Sequence, residues 1–140
     1  MKQLILTAVA TFLFGIFSIG TSAQTFSNMP EKQRDAALVK MARAFYKNPK
    51  FKVYYKKYGD YGAPGISVMK VDRKAPGYDL YTKNHDVGEL QYVVSFWLKS
   101  ETPRRYAAAR VLISDKLGQA FSITFADNTI VRIWDSYYMK

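Results

Sequence analysis

The sequence contains no cysteine and a single histidine, His85, and its eleven acidic residues stand against twenty-one lysines and arginines. Each scarcity removes a class of chemistry. Without cysteine there is no disulfide, no thiolate zinc site and no lipid attachment at an export cleavage site. One histidine cannot furnish a His-x-x-x-His metal pair, and neither an EF-hand loop nor a phosphate-cradling Walker loop occurs. No serine stands in a Gly-x-Ser-x-Gly turn. The acids are scattered, with Asp72, Asp127 and Asp135 at turns or strand ends, so no carboxylate pair of the glycosidase kind is recognisable. No metal, cofactor or catalytic set is expected on these grounds.

Long hydrophobic runs are also missing, except at the start. After Met1 and Lys2, residues Leu4 to Ile19 are apolar apart from Thr7, Thr11, Gly15 and Ser18. That is short and interrupted for a bilayer span, which takes about 20 apolar residues. A charged start, an apolar stretch and the small residues Thr21, Ser22 and Ala23 form the pattern of a cleavable signal peptide, residues 1–23, with cleavage after Ala23. The alternative, an uncleaved anchor, fits the short run less well. No arginine pair precedes the run, which favours the general export route. The expected product is residues 24–140, a single domain without a stable membrane span, periplasmic or secreted, in a bacterial setting. Losing Lys2 and no acid lowers the formal charge from +10 to +9.

The whole chain is 49% hydrophobic and 16% aromatic, too apolar for a disordered segment, and without cysteine the core must hold by packing alone. Asn28 followed by Pro30 and Glu31 reads as a helix start, and the helix runs to about Lys47. Its apolar stripe is Leu38, Met41, Ala42 and Phe45. Asn48-Pro49 starts a short second helix, with Phe51, Tyr54, Tyr55 and Tyr58 on one face and Gly59 as its stop. Beyond Gly65 the period changes to two, and breakers separate strands at 66–72, 78–82, 89–99, 106–114, 119–126 and 129–137. In the third, Leu90, Tyr92, Val94, Phe96 and Leu98 alternate with Glu89, Gln91, Ser95 and Lys99, predicting one buried face and one mostly wet. Residues 103–117 carry signals for either a helix or a strand. Ala107 to Ala109 favour helix, whereas Val111 to Ile113 running into a turn at Gly118 favour strand, which is the reading adopted.

Helices followed by an antiparallel meander define an α+β domain, one or two N-terminal helices packed on a curled sheet. In element order this outline resembles the cystatin-like and nuclear-transport-factor-like architectures, a likeness that implies no function.

The densest chemical signal is residues 47–61, where Lys47, Lys50, Lys52, Lys56 and Lys57 interleave with Phe51, Tyr54, Tyr55, Tyr58 and Tyr61. Cations attract a polyanion and tyrosine faces stack on sugar rings or bases. The competing structural reading has the rings as the buried side of an amphipathic helix and the lysines as its solvated side. Arg104, Arg105 and Arg110 would extend a basic patch or blunt an edge strand. The leading expectation is an exported non-enzymatic binding or accessory domain. Its ligand-binding residues are Lys50, Lys52, Tyr54, Tyr55, Lys56, Lys57 and Tyr58, its partner an anionic glycan or lipopolysaccharide and not chromosomal DNA. In a second version a protein partner pairs with an exposed strand edge. The alternative function is a small envelope hydrolase using His85 and a nearby Asp; as a general base or metal ligand His85 would stand beside Asp79, Asp86 and Glu89. Lacking any ligand spacing, His85 reads more simply as a solvated turn residue.

Overall fold

The computed structural model describes residues 25–76 and 85–132. The segment read as a signal peptide, the strand expected at 78–82 and the end of the last expected strand lie outside these residues. Two helices, α1 (Glu31–Tyr46) and α2 (Lys52–Tyr58), precede five antiparallel strands: β1 (Gly65–Lys70), β2 (Leu90–Trp97), β3 (Ala107–Ser114), β4 (Gln119–Phe125) and β5 (Ile130–Arg132). They pair in chain order, β1-β2-β3-β4-β5, so the α+β meander read from the sequence is the fold observed.

The start of α1 differs from expectation. Asn28 is taken up in a 3₁₀ turn, Phe26–Asn28, and Pro30 occupies the cap position, so the Asn28–Glu31 capping pair does not form. The cause is tertiary: Phe26 is buried edge-on against Tyr92, their rings 5.9 Å apart. The Asp115 carboxylate accepts from the Ser27 amide at 2.9 Å and the Ser27 hydroxyl at 3.0 Å, pinning that turn to the β3–β4 hairpin. Along α1 the fully buried residues are Leu38, Ala42 and Tyr46, spaced at i, i+4 and i+8. Met41 and Phe45 flank them, half-buried.

The second start signal works as written. The Asn48 side chain accepts from the Lys50 amide at 3.0 Å, and Pro49 opens a 3₁₀ turn, Pro49–Phe51, that leads into α2. Gly59 ends α2 with φ of 73°, where a Cβ would meet the Tyr61 ring at 2.5 Å, so only glycine fits.

The helical layer packs on one face of the sheet. The register brings Ile66, Val94, Val111, Ile123 and Val131 into one row across all five strands. The next row places Ala109 between Phe96 and Phe125, and this explains why an alanine-rich stretch is a strand. The small residue leaves room for Tyr46, whose ring lies 5.3 Å from Phe96 and 6.2 Å from Phe125. Packing overrides helix propensity here. Bulges after Phe96 and opposite Leu112 and Ile113 add local twist and curl the sheet.

The opposite face is not mostly wet. Gln91, Leu112, Ser114, Phe121 and Ser122 are all buried, and His85 from the β1–β2 connection packs on Phe121 with ring centroids 4.2 Å apart. A connection laid over a sheet face excludes water from residues that alternation assigns to solvent.

Candidate functional site

Helix α2 separates its two residue types cleanly. Lys52, Val53, Lys56 and Lys57 fall at i, i+1, i+4 and i+5 and are exposed, as are Lys47 and Lys50 just before. Val53 stands 75% exposed among the ammonium groups. Tyr54, Tyr55 and Tyr58 take the other face and are half-buried against the core. Tyr54 lies flat on Phe125, centroids 3.9 Å apart and planes 9° apart, and stacks on its other flank with Tyr58 at 6.4 Å. Tyr55 meets Tyr46 edge-on at 4.7 Å. Two lysines cover what is left: Lys47 Nζ sits 5.4 Å above the Tyr55 ring and Lys57 Nζ 5.2 Å above Tyr58. The rings thus hold α2 on the core, while the lysines form the outer surface.

No acid occurs between Lys47 and Gly59. The next, Asp60, is engaged by Arg43 at 2.8 Å. The Asp127 carboxyl is held below the usual range by hydrogen bonds from Thr129 and by the charge of Lys57. The Tyr46 hydroxyl donates to the Gly59 carbonyl at 2.9 Å and ties the end of α2 to α1; burial pushes that phenol well above its ordinary pKa. Arg110 does not extend this surface, because it alternates with Ala109 and Val111 and so lies on the sheet face turned away from the helices. Arg104 and Arg105 lie over the rings of Tyr106 and Trp97.

His85 is buried, contrary to the solvated turn expected, and its side chain and that of Glu89 are each 4% exposed. Its Nδ1 lies 3.1 Å from Glu89, and the Ser114 hydroxyl donates to the same carboxylate. The acid partner is therefore Glu89; Asp86 instead pairs outward with Lys116. Sequence reasoning missed Ser114, which lies across the sheet with no local signal. In a nucleophilic triad the imidazole stands between hydroxyl and carboxylate, whereas here the carboxylate stands between the other two. That order suits a structural clasp joining the β1–β2 connection to β3. Among the described residues no three potential metal ligands cluster, and no helix is long and apolar enough to cross a membrane.

Also buried are the Gln91 amide, both of whose polar atoms lack a hydrogen-bond partner among the described residues, and the Ser122 hydroxyl, for which the same holds. Comparison with known proteins adds no relative to this picture: no protein family, no curated protein and no solved structure matches the chain.

Proposed function

We propose that this protein is an exported, non-enzymatic binding domain that holds an anionic envelope polymer, a glycan or lipopolysaccharide, against the lysine face of α2. One observation carries the reading: five exposed lysines within eleven residues, no acid among them, three of them on a helix fixed to the core by its own tyrosines and two just before it. A fixed array of ammonium groups meets a polyanion without first losing the backbone freedom of a loop, so more of the ionic attraction is kept as affinity. Lys50, Lys52, Lys56 and Lys57 make the contacts. Tyr54, Tyr55 and Tyr58 position them and offer ring edges, their faces being engaged within the protein. The hydrolase alternative is less well supported, since the one histidine is enclosed and its carboxylate is shared with Ser114.

The test is binding of residues 24–140 to lipopolysaccharide, acidic glycans, peptidoglycan and DNA at low and physiological salt, with a Lys52→Glu/Lys56→Glu/Lys57→Glu variant alongside. Preference for one envelope polymer, lost in the variant, supports the proposal. Equal binding by the variant removes the lysine face as the site.

A further inference from the structure

A second surface lies at the other end of the helical layer. Between α1 and strand β1 runs a groove of about 630 Å³, floored by Ala36, Val39, Ala44, Pro64 and Ile66. β1 forms one edge of the sheet. Its hydrogen-bonding phase follows from Val71, whose amide donates to Glu89 at 2.9 Å. With the antiparallel register Gly65↔Ser95 through Lys70↔Leu90, the odd residues 65, 67 and 69 face β2. Ile66, Val68 and Lys70 therefore turn their N–H and C=O groups outward, and no described strand pairs with them.

Natural sheets blunt such edges with proline, lysine or bulges. Here Pro64 and Lys70 guard only the ends; Ile66 to Met69 carries no bulge and no charge, and Val68 is 52% exposed. Ile66 and Val68 share the helix side of the sheet with Val94 and Tyr92, so a strand added beside β1 would drop alternate side chains into the groove under α1. The rim there is basic. Lys40 lines it and Lys70 ends the strand; Arg43, also in the lining, is joined to Asp60 at 2.8 Å, and the one acid in the lining, Asp35, is held by Arg34 at 3.0 Å.

We infer that β1 and this groove form a docking site for an extended acidic segment of a partner protein, added as a sixth strand with apolar residues at alternate positions. Backbone hydrogen bonds to Ile66, Val68 and Lys70 supply affinity, the groove selects apolar side chains, and the basic rim selects acidic ones. This site is separate from the lysine face of α2, so either can fail alone.

The probes are two synthetic peptides of alternating valine with glutamate and valine with lysine, followed by amide exchange on residues 24–140. The glutamate peptide should protect the Ile66, Val68 and Lys70 amides and the lysine peptide should not. Val68→Pro deletes an outward N–H while leaving the β1–β2 bonds in place, and should weaken the peptide roughly tenfold or more without changing polymer binding. Ala36→Trp, which fills the groove from the surface of α1, should do the same should the proline variant not fold. Equal protection by both peptides, protection by neither, or protection that grows with protein concentration alone, the mark of a second copy on the edge, would each overturn the inference.

Discussion

Tyr46 links the core to the lysine face, and two substitutions there separate its two roles. Its ring is fully buried among Tyr55, Phe96 and Phe125, while its hydroxyl reaches the half-buried carbonyl of Gly59. Tyr46→Phe keeps the ring and deletes one hydrogen bond, whose net worth is about 0.5–1.5 kcal/mol, with the lower half expected because water can reach Gly59. Tyr46→Ala removes the ring as well and opens a cavity, at a cost of about 3–5 kcal/mol. Set against a stability of about 5–15 kcal/mol for a domain of this kind, the first is tolerated and the second is severe. In urea unfolding followed by tryptophan fluorescence, with m of about 1–3 kcal/mol per molar, the Phe variant should lose roughly 0.2–1 M in midpoint at unchanged m. Amide exchange gives a local readout, since the Gly59 amide donates to Tyr55 at 2.9 Å and should exchange faster once the end of α2 is released. An unchanged midpoint with unchanged exchange at Gly59 would show that the hydroxyl does not anchor α2. An Ala variant that loses less than the Phe variant's range would refute the assignment of Tyr46 to the centre of the core.

Three further outcomes follow from the same geometry. Replacing Gln91, a fully buried amide with no hydrogen-bond partner among the described residues, by methionine should leave stability unchanged or raise it by about 1 kcal/mol in the same urea assay; a marked loss would mean the amide is satisfied in solution. Glu89→Ala takes away the acceptor shared by His85 and Ser114 and should cost about 3 kcal/mol or more, with faster exchange at Val71, which donates to the Glu89 carbonyl; a near-neutral result would dissolve the clasp. Burial first, and then the neighbouring Asp115, push the Tyr92 phenol from 10.0 up to about 12. The unfolded chain releases that proton first, so its contribution to stability is complete below pH 10 and is lost as pH rises towards 12, which alkaline unfolding monitored by phenolate absorbance will show. Asp115→Asn should bring the Tyr92 titration down; an unchanged late titration would point away from Asp115 as a cause.

The local signals were legible and the long-range ones were not. Asn48, Pro49 and Gly59 act through their own neighbours, and each does what its chemistry dictates. Asn28 carries an equally good cap signal, yet Phe26 seats against Tyr92 and the chain enters α1 by another route. Alternation in β2 identified the helix-facing side through Tyr92, Val94 and Phe96 but assigned Gln91 to solvent, because nothing local shows that a connection will cover that face. His85 and Glu89 are separated by the turn at Gly88, and Ser114, which donates to the same Glu89 carboxylate, is 25 residues further on. At α2 the observed arrangement is the structural one, with the rings on the buried side and the lysines outside, and both are legible in the spacing; binding by the lysine face is what the proposal adds.

The most direct test of the lysine face is the salt dependence of binding to the preferred anionic polymer, measured for residues 24–140 and for their Lys52→Gln/Lys56→Gln/Lys57→Gln variant. Each phosphate or equivalent anion neutralised contributes about 0.7–0.9 to the slope of log affinity against log salt. Three contacting lysines should therefore flatten the slope by roughly two to three when neutralised, at every salt concentration tested. A variant with the slope of the unaltered domain would contradict the account, since the polymer would then be held elsewhere on a generally basic surface.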